Sequence, residues 1–170
     1  MPIHRLNHAV LYVRDAERSA RFFEEVLAFR RVGAYRFPGA VFLQAPASTN
    51  DHDLGLFSVG DQAGDTTAGR GSVGLYHLAW EVDTLGDLVS YRQALSAAGV
   101  LVGASDHGAT RSLYAKDPDG LEMELAWVVP ADRLGPSDRA GTRPLDLDAD
   151  IARFGIDTPG GYGISRPAPA

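Results

Sequence analysis

His107-Gly-Ala-Thr-Arg-Ser-Leu-Tyr-Ala-Lys-Asp-Pro-Asp-Gly-Leu-Glu-Met-Glu124 is the stretch whose reading decides the fold. At its centre, Asp117-Pro118-Asp119-Gly120 reads as a tight turn. Proline presets φ at the second position, and glycine supplies the freedom that closes the turn. Alternating runs flank it, Ser112-Leu-Tyr-Ala-Lys116 before and Leu121-Glu-Met-Glu-Leu-Ala-Trp127 after, which is the pattern of a β-hairpin. In the second strand the period of two puts Leu121, Met123 and Leu125 on one face, with Glu122, Glu124 and Ala126 on the other. Two carboxylates on one strand face mark either a solvated surface or a metal or acid/base site.

Working outward, the hairpin closes the second of two similar halves. In the first, residues 6–13 read as a strand with His8, Val10 and Tyr12 on one face. Asp15 offers an N-cap, and residues 16–29 carry a helical stripe of Phe22, Phe23, Val26 and Leu27. Strands are expected over 31–37, 41–45 and 53–59, before a polar Gly/Asp/Thr-rich linker over 60–71. In the second half, a strand over 73–82 carries His77, and Thr84 caps a helix that runs to about 98 and stops at Gly99. Strands over 100–105, 112–116 and 121–128 follow. His8 and His77 lie 69 residues apart, each five residues before a valine and each leading into a helix. The expected architecture is therefore α+β, two tandem βαβββ modules over about 5–60 and 72–128 within one domain over 1–128. Residues 129–170, rich in Pro, Gly and Asp, read as a tail. It holds one short helix over 147–154, capped by Asp146 or Asp148 and closed by Gly155, and is expected to be partly disordered over 166–170.

Composition narrows the function classes. At 45% hydrophobic and 22% charged, the 170 residues are those of an ordinary globular protein. A net charge of -6 without a Lys/Arg cluster argues against nucleic acid and anionic membranes as partners. No run approaches the ~20 apolar residues of a membrane span, and no export signal opens the chain, so a cytoplasmic location is expected. With no cysteine there is no disulfide and no thiolate ligand, so any metal must sit on His, Asp or Glu.

His8 and His77 occupy matching positions in the two modules, and Glu124 lies on the last strand of the second. If a pseudo-twofold relates the modules, both imidazoles face one cup, and two histidines with one carboxylate form the facial triad of non-haem Fe(II) oxygen chemistry. Glu124 follows His77 by 47 residues, and the same step from His8 lands on Gly55, with Leu54 and Leu56 beside it. None of these can ligate, so the first module contributes His8 alone and leaves coordination positions for water, substrate and oxygen.

These residues together resemble the vicinal oxygen chelate superfamily, which holds glyoxalase I, bleomycin-resistance proteins and extradiol ring-cleaving dioxygenases. The resemblance covers about residues 5 to 128, and its most specific segment is Asp117-Pro-Asp-Gly-Leu-Glu-Met-Glu-Leu125. It implies that the metal glutamate is Glu124 and that Glu122 is a non-ligand neighbour. Leu121 stands where the family usually has Asn. Three matches lean toward the extradiol branch: Tyr114 ten residues before Glu124, the segment His107-Gly-Ala-Thr110, and the pair His52-Asp53. A glyoxalase is expected to show a glutamate near Gly55 instead. The spacing from His107 to Tyr114 is shorter than the commoner pattern, and familiar extradiol enzymes fuse two such domains.

The resemblance thus implies a metal site of His8, His77 and Glu124 holding Fe(II), with Mn, Ni or Zn as alternatives. His52, Tyr114 and His107 become the catalytic candidates. His52 can relay a proton, Tyr114 can donate its hydroxyl to a substrate oxygen, and His107 is a helper donor or a turn residue. The expected reaction is ring opening of a catechol by O2 in a homodimer. A glyoxalase- or epimerase-like isomerase with His52 or Glu122 as base is one alternative. The other is a metal-free binder of aromatic ligands. Arg111 receives no role.

Overall fold

The computed structural model describes Ile3 and residues 5–33, 37–69, 71–136, 138 and 140–161. Contacts divide the chain into one unit of Met1–Thr67 with Asp117–Leu121 and another of Ala68–Lys116 with Glu122–Ala170. Each carries the expected βαβββ order. In the first, β1 (Ala9–Val13) precedes α1 (Ala16–Leu27), then β2 (Arg30–Arg31), β3 (Ala40–Gln44) and β4 (Leu54–Ser58). In the second come β5 (His77–Glu81), α2 (Leu85–Ala97), β6 (Leu101–Asp106), β7 (Thr110–Lys116) and β8 (Glu122–Val128), followed by β9 (Arg143–Pro144) and α3 (Leu147–Phe154). The sheet orders are β1-β4-β3-β2 and β5-β8-β7-β6-β9.

The repeat extends to the ladder itself. In the first unit β1 pairs in parallel with β4, Ala9 opposite Leu54 and Val10 opposite Gly55. In the second β5 pairs in parallel with β8, Leu78 opposite Met123 and Ala79 opposite Glu124. Every one of these positions is shifted by the 69 residues that separate His8 from His77, with no bulge in either ladder. Gly55 is thus the register counterpart of Glu124. The antiparallel neighbours agree, since Phe42 lies opposite Gly55 and Tyr114 opposite Glu124.

Local chemistry sets the element ends. The Asp15 carboxylate accepts from the N–H groups of Glu17 and Arg18 and starts α1, which buries Ala16, Ala20, Phe23 and Leu27. The helix stops two residues short of the expected end. Ala28 takes a left-handed conformation (φ 56°), and Phe29 turns back to bury its ring 5.4 Å from that of Phe23. Similarly, β1 starts at Ala9 rather than residue 6, because the first ladder partner, Leu54, faces Ala9. In α2, Thr84 and Asp87 form a capping box. The strand expected over 31–37 is seen as β2 only, and residues 34–36 lie outside the described residues. Among the described residues no helix is long and apolar enough to cross a membrane.

In the second unit the apolar positions of β7 and β8 (Leu113, Ala115, Met123, Leu125 and Trp127) are buried with Leu85, Leu88 and Leu95 of α2. The C-terminal segment joins the same core. β9 pairs with β6, and α3, capped by Asp146, one of the two caps expected, places the Phe154 ring 5.4 Å from that of Trp127. The Trp127 indole N–H donates to the Thr158 carbonyl. Burying one such phenylalanine contributes about 1.5–3 kcal/mol. Residues 166–170 lie outside the described residues.

Arg111 is the exception on the core face. The strand period that buries Leu113 and Ala115 buries it too, at 2% exposure. Its guanidinium donates to Asp150 at 2.8 Å, Asp106 at 2.9 Å and the Gly108 carbonyl at 2.6 Å, and lies 3.5 Å from Asp138. Replacing it leaves buried carboxylates without their cation, a loss of about 3–5 kcal/mol for such pairs. Arg111→Met is expected to lower the urea midpoint by that equivalent at constant m-value. A shift worth less than about 1 kcal/mol would show that the network adds little. Hydrogen bonds from Arg153 hold the Asp138 carboxyl well below the usual carboxylate range. Its stabilisation is therefore complete above the unfolded value of about 3.9 and disappears as pH falls through the lower folded value. Asp138→Asn should be less stable than the parent at neutral pH and converge with it under strong acid.

Candidate functional site

The second sheet has one face covered by α2 and one face that carries His77, Tyr114, Glu122 and Glu124. Parallel register sets His77 opposite Glu122, and the β7 pairing sets Tyr114 opposite Glu124. All four side chains are half-buried, while the intervening Met123 and Leu125 point into the core. His77 Nε2 lies 2.9 Å from Glu124 Oε2, whereas its Nδ1 is 3.9 Å from Glu122 Oε1. That Nδ1 is buried and has no hydrogen-bond partner among the described residues. The rings of Tyr76 and Tyr114 flank the imidazole at 4.7 and 5.8 Å. Burial pushes the Tyr114 phenol above its ordinary value, and the Glu124 carboxylate adds to the rise. The Tyr114 hydroxyl is 2.7 Å from His107 Nε2.

His8 and His52 meet in the first unit, their ring centroids 4.5 Å apart. His8 precedes β1, and its Nδ1 lies 2.7 Å from Asn7 Oδ1, which accepts. The proton is then on Nδ1 and the Nε2 lone pair is left for another partner, the way a neighbouring acceptor orients a ligating histidine. His52 is held by its loop. The buried Asp53 carboxylate accepts from the Ala45 N–H, the Ser48 hydroxyl and the Asn50 amide, so residues 45–53 have little choice of path. The His52 ring stands edge-on to Phe42 at 5.2 Å and its Nδ1 is 3.3 Å from Asp51. Phe42 fills the place that Tyr114 holds in the other unit, and a Cβ at Gly55 would sit 3.4 Å from its ring.

Of the sequence-predicted residues, the structure thus brings together His77, Glu124, Tyr114 and His107 on one unit, and His8 with His52 on the other. Among the described residues no three His, Asp or Glu side chains are grouped so that they could hold a metal ion. The donor chemistry suits a divalent first-row ion nonetheless. Two N/O ligands at about 2.1 Å from one ion stand about 3 Å apart when cis, which is the His77–Glu124 separation. Two participants escaped the sequence reading. Asn7 acts only through its neighbour His8, but Arg111 was legible, since the period that puts Tyr114 on the open face puts Arg111 on the core face with Leu113. Asp53 was named beside His52, and the structure adds that its carboxylate clamps the loop.

The profile of the Glyoxalase/Bleomycin resistance protein/Dioxygenase superfamily matches residues 5–125. The chain belongs to that superfamily. Biphenyl-2,3-diol 1,2-dioxygenase 3 of Rhodococcus globerulus is 33% identical over 122 residues, 71% of this chain and 62% of that one. The chain spans less than two thirds of the length of the curated relatives it matches. Among solved structures, a glyoxylase/bleomycin resistance protein/dioxygenase domain from Frankia sp. EAN1pec superposes with a TM-score of 0.62 at 21% identity, covering 78% of this chain and 98% of that one. The fosfomycin resistance protein FosX from Mesorhizobium loti gives a TM-score of 0.55 at 27% identity, covering 79% and 100%. The superfamily assignment and fold agree with the expectation from the Asp117–Leu125 segment.

If His77 and Glu124 hold a divalent ion, the two glutamates of β8 must differ. Glu124→Ala is expected to lower metal content of the purified chain by at least tenfold, and Glu122→Gln to retain most of it, measured by inductively coupled plasma mass spectrometry. Equal loss in both variants would assign the wrong carboxylate.

Proposed function

We propose that the chain is an extradiol-type dioxygenase that opens a catechol ring with O2, using a divalent metal held by His8, His77 and Glu124. The carrying observation is the open face of the second sheet. There the His77–Glu124 pair, spaced as cis ligands, and the Tyr114–His107 pair stand on adjacent strands. Similarity to a biphenyl-2,3-diol dioxygenase favours this chemistry over isomerisation. Gly55 at the register position of Glu124 supports it too, because it leaves the first module without a counterpart to that carboxylate. His8, His77 and Glu124 would hold the metal, Fe(II) in this reading, which would supply Lewis-acid and redox chemistry for a vicinal diol and O2.

The protein's own residues then divide the remaining tasks. Tyr114 meets a substrate oxygen at the rim of the sheet. His107 fixes the direction of the Tyr114 hydroxyl. His52, 4.5 Å from His8, stands beside the first module's ligand and moves a proton to the reacting oxygen. The carbon–carbon bond next to the diol breaks, and both atoms of O2 enter the ring-opened acid. The reaction is read in the cytoplasm and in a homodimer. The FosX likeness favours one rival, a metal-dependent reaction without O2 in which His52 or Glu122 serves as base.

Oxygen uptake and coloured product from a catechol panel, with Fe(II)-loaded protein, test the reading. His52→Phe is expected to keep metal content and catechol affinity while turnover falls by about 10²–10⁴-fold. Gly55→Glu, whose Cβ meets Phe42 and Val10 at ordinary contact distance, is expected to retain metal and lose oxygen uptake. A parent that consumes no oxygen with any catechol, yet isomerises a thiohemiacetal or opens an epoxide, gives the rival its place. Unchanged turnover in His52→Phe removes that histidine from the mechanism.

A further inference from the structure

We infer that residues 141–144 are a positioning element that fixes the tautomer of His107 and thereby makes Tyr114 a hydrogen-bond acceptor toward the substrate. The inference deepens the proposed reaction and rests on it for the word substrate, but its geometry is independent. His107 opens the turn after β6, and its two ring nitrogens meet different partners. Nδ1 lies 3.2 Å from the Gly141 carbonyl oxygen and 3.4 Å from the Thr142 hydroxyl. Nε2 lies 2.7 Å from the Tyr114 hydroxyl. A carbonyl can only accept, so Nδ1 carries the proton, and in the neutral ring Nε2 has only its lone pair to offer. The Tyr114 O–H must then donate to Nε2. Its one proton is committed to His107, so toward any further group its oxygen can only accept. A substrate group that meets Tyr114 has to donate. This reverses the role that the sequence suggested, in which Tyr114 donates its hydroxyl.

What holds the Gly141 carbonyl in place is β9. Arg143 pairs with Asp106 in the ladder, and its guanidinium donates to the Asp106 carboxylate at 3.2 and 3.3 Å. Asp106 also accepts from the Gly108 N–H at 2.7 Å and from buried Arg111 at 2.9 Å. The residues on both sides of His107 are thus pinned to one carboxylate, and the chain that presents residue 141 is pinned to the same carboxylate through residue 143. Burial opposes ionisation of Asp106, but Arg143 and the Gly108 N–H outweigh it and hold the carboxyl below its ordinary range. Tyr114 is accommodated on the other side by Gly103, where a Cβ would come within 3.5 Å of the phenol ring. In this arrangement Tyr114 touches the substrate, whereas His107, Asp106 and Arg143 act through it.

Histidine tautomers are read directly by two-bond proton–nitrogen correlation on the full chain labelled with ¹⁵N-histidine, with His107 assigned by its loss in His107→Gln. The expected result for the parent is a protonated Nδ1 and an unprotonated Nε2. Arg143→Gln, checked for parental circular dichroism, is expected to give mixed tautomers and a kcat loss of about tenfold with KM little changed, and Arg143→Lys to restore both. Thr142→Val removes the second Nδ1 neighbour without touching Asp106 and should leave the tautomer as in the parent. A protonated Nε2 in the parent, an unchanged tautomer in folded Arg143→Gln, or a switched tautomer in Thr142→Val would each overturn the inference. The expected tautomers in a chain that takes up no oxygen with any catechol would uphold the positioning element and remove the dioxygenase reading alone.

Discussion

The parallel register of β5 on β8 is the constraint on which the candidate site depends. Setting His77 opposite Glu122 and Ala79 opposite Glu124 fixes which carboxylate the imidazole can reach. The period of two does the rest, because Met123 and Leu125 cannot enter the core unless Glu122 and Glu124 leave it. A one-residue slip would bury both carboxylates against α2 and expose Met123 and Leu125 together. The apolar half of β8 therefore enforces the geometry of its polar half. Burial energy, spread over Leu113, Met123, Leu125 and Trp127, is what holds His77 Nε2 at 2.9 Å from Glu124.

A second constraint works from beneath. Arg111 introduces a charge into the core of β7, and its neutralisation recruits Asp150 from α3 and Asp106 from β6. Three further contacts show how tightly α3 is drawn in, with Arg111, Arg133 and Arg153 all stacked against Phe154 at 4.4–5.7 Å. Because Asp106 precedes His107, the charge that docks the C-terminal segment also fixes the start of the turn that carries the histidine. Stability and site geometry share one carboxylate.

Much of this was legible in the sequence because it rests on local chemistry. The Asp-Pro-Asp-Gly turn, the caps at Asp15, Thr84 and Asp146, and the alternation of β8 are written in neighbouring residues. The family follows from the same stretch. What was missed depends on groups far apart in the chain. The return of Phe29 onto Phe23 ends α1 early, and no local rule separates that from one more helical turn. The partners of Arg111 lie 5 and 39 residues away, so its burial could be read from the strand period but its purpose could not. Likewise nothing near His107 announces the Gly141 carbonyl, which arrives 34 residues later through the two-residue strand β9.

The two modules share a backbone register and differ in what they hang on it, and that difference is the main argument about chemistry. Phe42 over Gly55 in one corresponds to Tyr114 over Glu124 in the other. An apolar ring over a residue without a side chain can shape a wall but can neither ligate nor exchange a proton. A phenol over a carboxylate can do both. The imidazoles remain in each module, at His8 and His77, whereas the Glu124 carboxylate has no counterpart at Gly55. Under the proposed reading this inequality is what a reaction with two exogenous ligands requires: fewer protein donors leave room for them. On that reading the proton-handling groups are divided as well, His52 beside His8 and Tyr114, with His107, opposite Glu124. Identical halves would offer the same chemistry twice, whereas on this reading the unequal halves of this fold take different tasks.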